Sequence, residues 1–320
     1  MTNRAFPSAQ KRRGALASFV AQRRILRNWH LYVMLIPVIA YYAVFCYAPM
    51  YGVTLAFKDY KVRQGIMGSP WASPWYEYFE RFFTSPFFER VLTNTIVISL
   101  ESLLLGFPVP ILLALCINEV RSDRYKKMVQ NITYAPHFLS TVVLVGLIRS
   151  FCNSDYGIVN IIIRSFGGEG YNWMQKASLF RPLYIGSAIW QNAGWDSIIY
   201  IAALAGVDPQ LHESAMMDGA NRLQRIWHIN LPGILPTVVI LLILNSGHIM
   251  NVGFEKVFLM QNDLNLSTSD VISTYAYRIG IETAQYSLST AISLFNSIIN
   301  CVMLVLVNTA ARHMNETSLW

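Results

Sequence analysis

Charge is what this 320-residue chain has least of. Asp, Glu, Lys and Arg make up 13% of it, about half the roughly 25% of an ordinary soluble domain. Hydrophobic residues reach 54% and the mean hydropathy is +0.36, so a water-soluble globule of this size would be left with large bare apolar patches. Lipid is the solvent this composition fits. Four cysteines are too few for a disulfide scaffold, and Cys46, Cys116, Cys152 and Cys301 lie too far apart for a metal or redox pair. They read as small hydrophobes. The sequence has no HExxH, no G-x-S-x-G and no convergent Cys-His pairing, which removes the common intramembrane hydrolase chemistries. It also lacks G-x-x-x-x-G-K-[ST], so this chain does not bind ATP in the usual phosphate loop.

What the chain does have is long apolar runs. Six stretches, 31 to 57, 91 to 117, 133 to 151, 183 to 207, 233 to 253 and 286 to 308, match the length needed to cross a bilayer, about 20 helical residues. Pro108 and Pro110, after Gly106, predict a kink in the second, and Pro37 one in the first. Ahead of the first run stand Arg4, Lys11, Arg12, Arg13, Arg23, Arg24 and Arg27 without an acidic residue, which places the N-terminus in the cytoplasm. An even number of spans returns the C-terminus to the same side. Arg121, Arg124, Lys126 and Lys127 then fall inside as well, so the net charge of +7 reads as a topology signal and not as a nucleic-acid surface. Residues 19–26 read either as an amphipathic helix on the anionic leaflet or as part of that signal alone. The loop 58 to 90 carries Trp71, Trp75, Tyr76, Phe82 and Phe87, and it predicts an interfacial helix of aromatic anchors at headgroup level.

The inner loop 208 to 231 has its own local chemistry. Asp208 is placed to cap a short helix, Pro209 suits its first position, and Gly219 suits its left-handed end. Leu223, Ile226, Trp227, Asn230 and Leu231 then form a mostly apolar stripe that packs along the membrane until Pro232 starts the next span. Glu213, Ala215, Gly219, Ile229, Leu231 and Pro232 stand in the register Glu-Ala-Ala, three residues, Gly, nine residues, Ile, one residue, Leu-Pro, with the small residue Ser214 in place of one Ala, between Glu213 and Ala215.

That register resembles the EAA motif of ABC-importer permeases. Tyr47-Ala-Pro-Met-Tyr-Gly, Leu115-Cys-Ile-Asn-Glu-Val and Trp190-Gln-Asn-Ala-Gly-Trp extend the likeness to the oligosaccharide and polysaccharide branch, related to the maltose system. The resemblance implies an all-α membrane protein with the type I permease fold, six transmembrane helices and both termini cytoplasmic, in a bacterial inner membrane. The domains it implies are a basic segment 1–30, a first helix with its external loop 31–90, a five-helix core 91–310 and a tail 311–320. It also implies a coupling helix around Glu213, Ser214, Ala215, Asp218 and Gly219. The partners it implies are a second permease, two copies of an ATPase that uses ATP and Mg, and an extracytoplasmic binding protein that delivers a sugar. No cofactor is implied for this chain itself, nor any catalytic residue or metal.

Polar groups inside spans are costly in lipid and face a bundle interior, a partner or water. Asn94, Trp190, Asn192, Trp195, Asn245 and Asn296 are the candidates for a translocation path, with Glu101, Gln191, Asp196, His248, Asn251 and Asn300 nearby. For each asparagine a bond between helices is an equal alternative. The aromatic residues equally suit sugar stacking or lipid anchoring. An ion-gradient-driven secondary transporter is the alternative function, though it leaves the EAA register unexplained and the chain shows no clear internal duplication.

Overall fold

The computed structural model describes residues 29–315; the basic segment expected to set the orientation, and residues 316–320, lie outside the described residues. The chain divides into two compact units between Thr54 and Leu55. The described part of the first belongs to α1, an apolar helix that runs Trp29–Phe57, its last three residues falling past the division; it buries no side chain between Trp29 and Met50. Helix formation here needs no partner, since in lipid the backbone is satisfied within the helix itself.

The second unit is helical throughout, with no β-strand among the described residues. After α2 (Glu77–Phe83) comes a 31-residue apolar rod made of α3 (Phe88–Gly106) and α4 (Pro108–Asn118). The hydrogen-bond ladder lapses at Phe107, because Pro108 has no N–H to give it, but the Phe107 backbone stays helical and the rod continues. Next are α5 (Asp123–Tyr134), α6 (Thr141–Phe151), α7 (Ile158–Ser165) and the 29-residue α8 (Ala177–Ala205). They are followed by α9 (Pro209–Met217), α10 (Arg222–Ser246), α11 (Phe254–Met260), α12 (Ile272–Tyr277) and α13 (Tyr286–Asn315).

The structure departs from the sequence expectations at three spans. The run 133 to 151 is not one helix: α5, extended to Phe138, and α6 meet at 98°. Pro136 sits at the start of the tighter last turn of the first, Ala135–Phe138, and the Ser140 side chain caps the second by accepting from the Val143 N–H. The run 183 to 207 is helical, but α8 is not among the helices apolar enough to cross a membrane on their own. Its Arg181, Gln191, Asn192 and Asp196 are tolerated because α3, α4, α5 and α10 pack around it. The run 233 to 253 stops being helical at Ser246 and turns through Gly247–Met250. The last helix continues past the expected boundary at 310 to Asn315. Four described helices meet the length and apolarity of a span, five if the bent pair counts as one.

Three buried clusters hold this unit. Tyr78, Phe82, Val91, Ile272, Tyr275 and Ile292 form one, Ile98, Val145, Phe180, Ile185, Val257 and Met260 a second, and Ala114, Leu115, Tyr200, Leu204 and Ile234 a third. The aromatic segment is therefore only partly a surface feature: Phe82 stacks on Tyr275 and meets Phe88 edge-on, while Trp71 and Trp75 stay exposed. Helix α2 is amphipathic, and its Tyr78–Phe82 face is core.

Candidate functional site: the coupling loop and the cavity it leads to

The loop between α8 and α10 is held by its own residues. Asp208 accepts from the Gln210 N–H at 2.9 Å and so caps α9, with Pro209 in the first position. The helix ends where Gly219, at φ +82°, turns left-handed. The Gly219 N–H reaches the Met216 carbonyl at 3.1 Å, and the Ala220 N–H reaches that of Ala215 at 2.8 Å. These are the paired bonds of a Schellman stop. Asn221 and Gln224 then cap the next helix reciprocally, at 2.9 and 2.8 Å. The reversal is thus fixed from both sides, and α9 stands out as a knob with Met216, Met217 and Glu213 exposed. Among the described residues Glu213 makes no ion pair. Ser214 returns its hydroxyl to the Gln210 carbonyl. Asp218, Gly219 and Ile229 line a hollow of about 290 Å³ behind the knob, with Arg225 and His228.

The second helix of the loop does not stop at Pro232. A wider-wound stretch, Ile226–Asn230, joins it to Leu231 and the chain continues as one helix to Ser246. There the Leu231 N–H bonds five residues back, to Ile226. This local widening shifts the hydrogen-bond register just before Pro232 removes a donor. The predicted stripe is split accordingly: Leu223 and Trp227 are exposed, whereas Asn230 is buried with both amide atoms unpartnered.

Helix α10 leads to a cavity of about 560 Å³ walled by α3, α4, α8 and the end of α10. Of the predicted path residues, Asn192 and Asn245 line it, together with Asp196, His248 and Asn251. Asn192 is held by His137 at 3.1 Å. Asn245 donates to the Leu241 carbonyl of its own helix. Asn296 and Asn300 both donate to the Asn251 side-chain oxygen, at 3.1 and 3.0 Å, and so join α13 to the cavity edge without lining it. Trp190 and Trp195 are exposed outside the lining. Trp195 stacks flat on His137, with centroids 4.5 Å apart. Glu101 is half-buried and also outside the lining.

Asn94 belongs to a different assembly. It is buried, donates to the carbonyls of Ser267 and Asp270, and accepts from Arg181 at 3.0 Å. Beside it, fully buried Asp270 takes Arg90 and Arg278 on the same carboxylate oxygen, each at 2.8 Å. Lys256 is buried too, donating to the Tyr184 carbonyl at 2.9 Å with its ammonium 4.8 Å from the Tyr184 ring. Burial pushes this amine down to about 8. Sequence reading missed this group, because Arg90, Lys256, Asp270 and Arg278 lie in or beside loops and meet only when the chain folds. It also missed Ser99 and Ser102, whose hydroxyls are buried at the cavity wall without a partner. Among the described residues no cluster of His, Cys, Asp or Glu could hold a metal ion.

Residues 106–315 match the family model described as binding-protein-dependent transport system inner membrane component. Among curated relatives, the polygalacturonan/rhamnogalacturonan transport system permease protein YteP of Bacillus subtilis (strain 168) is 42% identical over 297 residues, covering 93% of this chain and 92% of that one. Protein LplB of the same organism is 42% identical over 294 residues, 92% of each chain. Among solved structures, a chain of a bacterial ABC transporter that imports the acidic polysaccharide alginate superposes with a TM-score of 0.85 at 42% identity. That match covers 92% of this chain and 99% of the other. A second structure of the alginate transporter, bound to a periplasmic protein carrying an alginate pentasaccharide, matches equally well over 93% of this chain. With the family's region taking in the knob and most of the cavity wall, the chain belongs to the binding-protein-dependent inner membrane components, the permease subunits of ABC importers.

Proposed function

We propose that this permease takes up an oligosaccharide or polysaccharide fragment, handed over by an extracytoplasmic binding protein, by alternating access driven by a separate ATPase. The observation that carries this reading is the single helix α10, which begins at the capped knob and ends at the walls of the cavity. A load on the knob therefore reaches the cavity without crossing a flexible joint. The polysaccharide cargoes named for YteP and for the alginate importer support a sugar as solute. The cavity's mixture of Asn, Ser and Tyr side chains with apolar walls suits hydroxylated rings.

In this reading six segments cross the bilayer. Helix α8 is the fourth, shielded from lipid by its neighbours, and the bent α5–α6 pair supplies the third. The knob and the 118 to 132 segment face the cytoplasm, as do both termini, in agreement with the Lys and Arg distribution. This chain is non-catalytic: ATP and Mg belong to two ATPase copies that receive the Glu213 knob, and a second, homologous permease closes the open side of the cavity. Asn192 and Asn245 are the predicted residues that meet cargo, Trp190 and Trp195 face the second permease or lipid, and Asn296 fastens α13 to Asn251.

The test is purification of the solubilised protein from its native membrane, followed by reconstitution of the co-purifying chains in vesicles. ATP-dependent sugar uptake that needs the binding protein is the expected result. Uptake by this chain alone on a proton or sodium gradient would overturn the reading.

A further inference from the structure

Helix α5, extended to Phe138, stands at 98° to α6. With α6 as a span, α5 therefore lies in the plane of the membrane. At the helical period its residues divide into three faces. Tyr125, Met128 and Ile132 share one, at offsets of three and seven, and all are exposed. Beside them Arg124, Lys127 and Asn131 form a second exposed stripe at the same offsets. The third face, with Gln130, Thr133 and Tyr134, is half-buried where α5 packs on α8. Arg121 and Lys126 bring the segment to four cations, against Glu119 and Asp123. Among the described residues none of these four is in an ion pair. The chain thus presents an apolar stripe and a basic stripe side by side, and covers neither.

We propose that α5 is a docking helix for anionic phospholipid of the inner leaflet, with Tyr125, Met128 and Ile132 in the acyl boundary and Arg124 and Lys127 on the headgroup phosphates. The inference rests on the reading above, in which α6 crosses the bilayer and 118 to 132 faces the cytoplasm. An amphipathic helix in the interface plane buries its apolar stripe at the base of the headgroups. The long Arg124 and Lys127 stems can then run up the flank of the stripe to the phosphates. A cluster of four Lys or Arg beside a span draws anionic lipid, each charge strengthening binding about fivefold. A free phosphate would answer the cations and leave the apolar stripe in water. The far end of α5 holds the cavity wall: His137, in the turn Ala135–Phe138, bonds Asn192 at 3.1 Å and stacks on Trp195. A lipid that fixes α5 therefore fixes Asn192 as well.

The experiment uses the complete importer, with a fluorescent label at Met128→Cys in a chain whose four native cysteines are changed to alanine. It is reconstituted in vesicles of phosphatidylglycerol and phosphatidylcholine, one of the two carrying bromine on its acyl chains as a quencher. Brominated phosphatidylglycerol should quench the label more than brominated phosphatidylcholine at equal mole fraction. Raising the salt from about 20 to about 300 mM should narrow that difference by screening. Arg124→Gln with Lys127→Gln should lower the selectivity about 25-fold, and Arg124→Lys with Lys127→Arg should keep it. No quenching by either lipid, equal quenching by both, or an unchanged selectivity in the glutamine pair would each overturn the site. So would quenching that appears only once the co-purifying ATPase is stripped away, because a protein surface would then cover α5. ATP-driven sugar uptake is read in the same vesicles: its absence would overturn the transport reading, while the quenching still decides the place of α5.

Discussion

The Gln191 amide donates to the backbone carbonyl of Leu139 at 2.9 Å and ties the 98° bend between α5 and α6 to the middle of α8. One turn further on, Gly194 lets α8 lie directly against α5: a Cβ at that position would sit 2.0 Å from the Thr133 carbonyl oxygen. Gly194→Ala is expected to lower stability by about 3 kcal/mol, because two packed backbones must separate. Gln191→Ala should lower it by about 1 kcal/mol, the net value of a hydrogen bond. Thermal unfolding midpoints of the solubilised protein check both.

Asp270 holds two guanidinium groups from elements far apart in sequence. Asp270→Ala leaves both without an anion and should lower stability by about 3–5 kcal/mol. Arg278→Gln should lower it less, since Arg90 remains on the same oxygen. Equal losses in the two variants, read as melting midpoints, would show that Arg278 alone carries the contact.

At the knob, Gly219→Val forces a β-branched residue to a φ near +82°, a strain of about 1–3 kcal/mol. The expected result is a chain that still reaches the membrane but recovers less of the proposed ATPase on purification. Glu213→Lys should act at the same step by charge reversal, without touching the turn. Normal co-purification in both variants would remove the knob from the coupling route.

Lys256 gives stability a pH dependence. Its amine, normally at 10.5, is pushed down to about 8 by burial. Between these values the unfolded chain holds the proton and the folded chain has released it, so stability rises with pH across that window. The span corresponds to about 3 kcal/mol. The melting midpoint should climb from about pH 8 to about pH 10, and Lys256→Met should remove this slope.

Much of this architecture can be read in advance from the chain. Asp208, Pro209 and Gly219 act on neighbours within five residues, and such local chemistry is visible as spacing. The bend at Ser140 is harder to see, because Val142, Val143 and Leu144 continue the apolar run straight across the break. Asn94 shows the opposite limit: an amide inside a span reads the same whether it faces a path or fastens Arg181, and only the meeting of α3, α8 and the 266–278 segment decides. The buried cations escaped notice for the same reason, since Arg90 and Arg278 are 188 positions apart.

The 25 residues of α10 make a strut about 37 Å long. Swung by only 5°, a strut of that length carries its far end through about 3 Å, the width of a hydrogen bond. The Ile226–Asn230 widening lies near the end that carries the knob, where a small change in winding also rotates everything beyond it. Leu241, Leu244 and Asn245 at the far end would then trade places at the cavity wall, so one short push becomes both a translation and a change of chemical face.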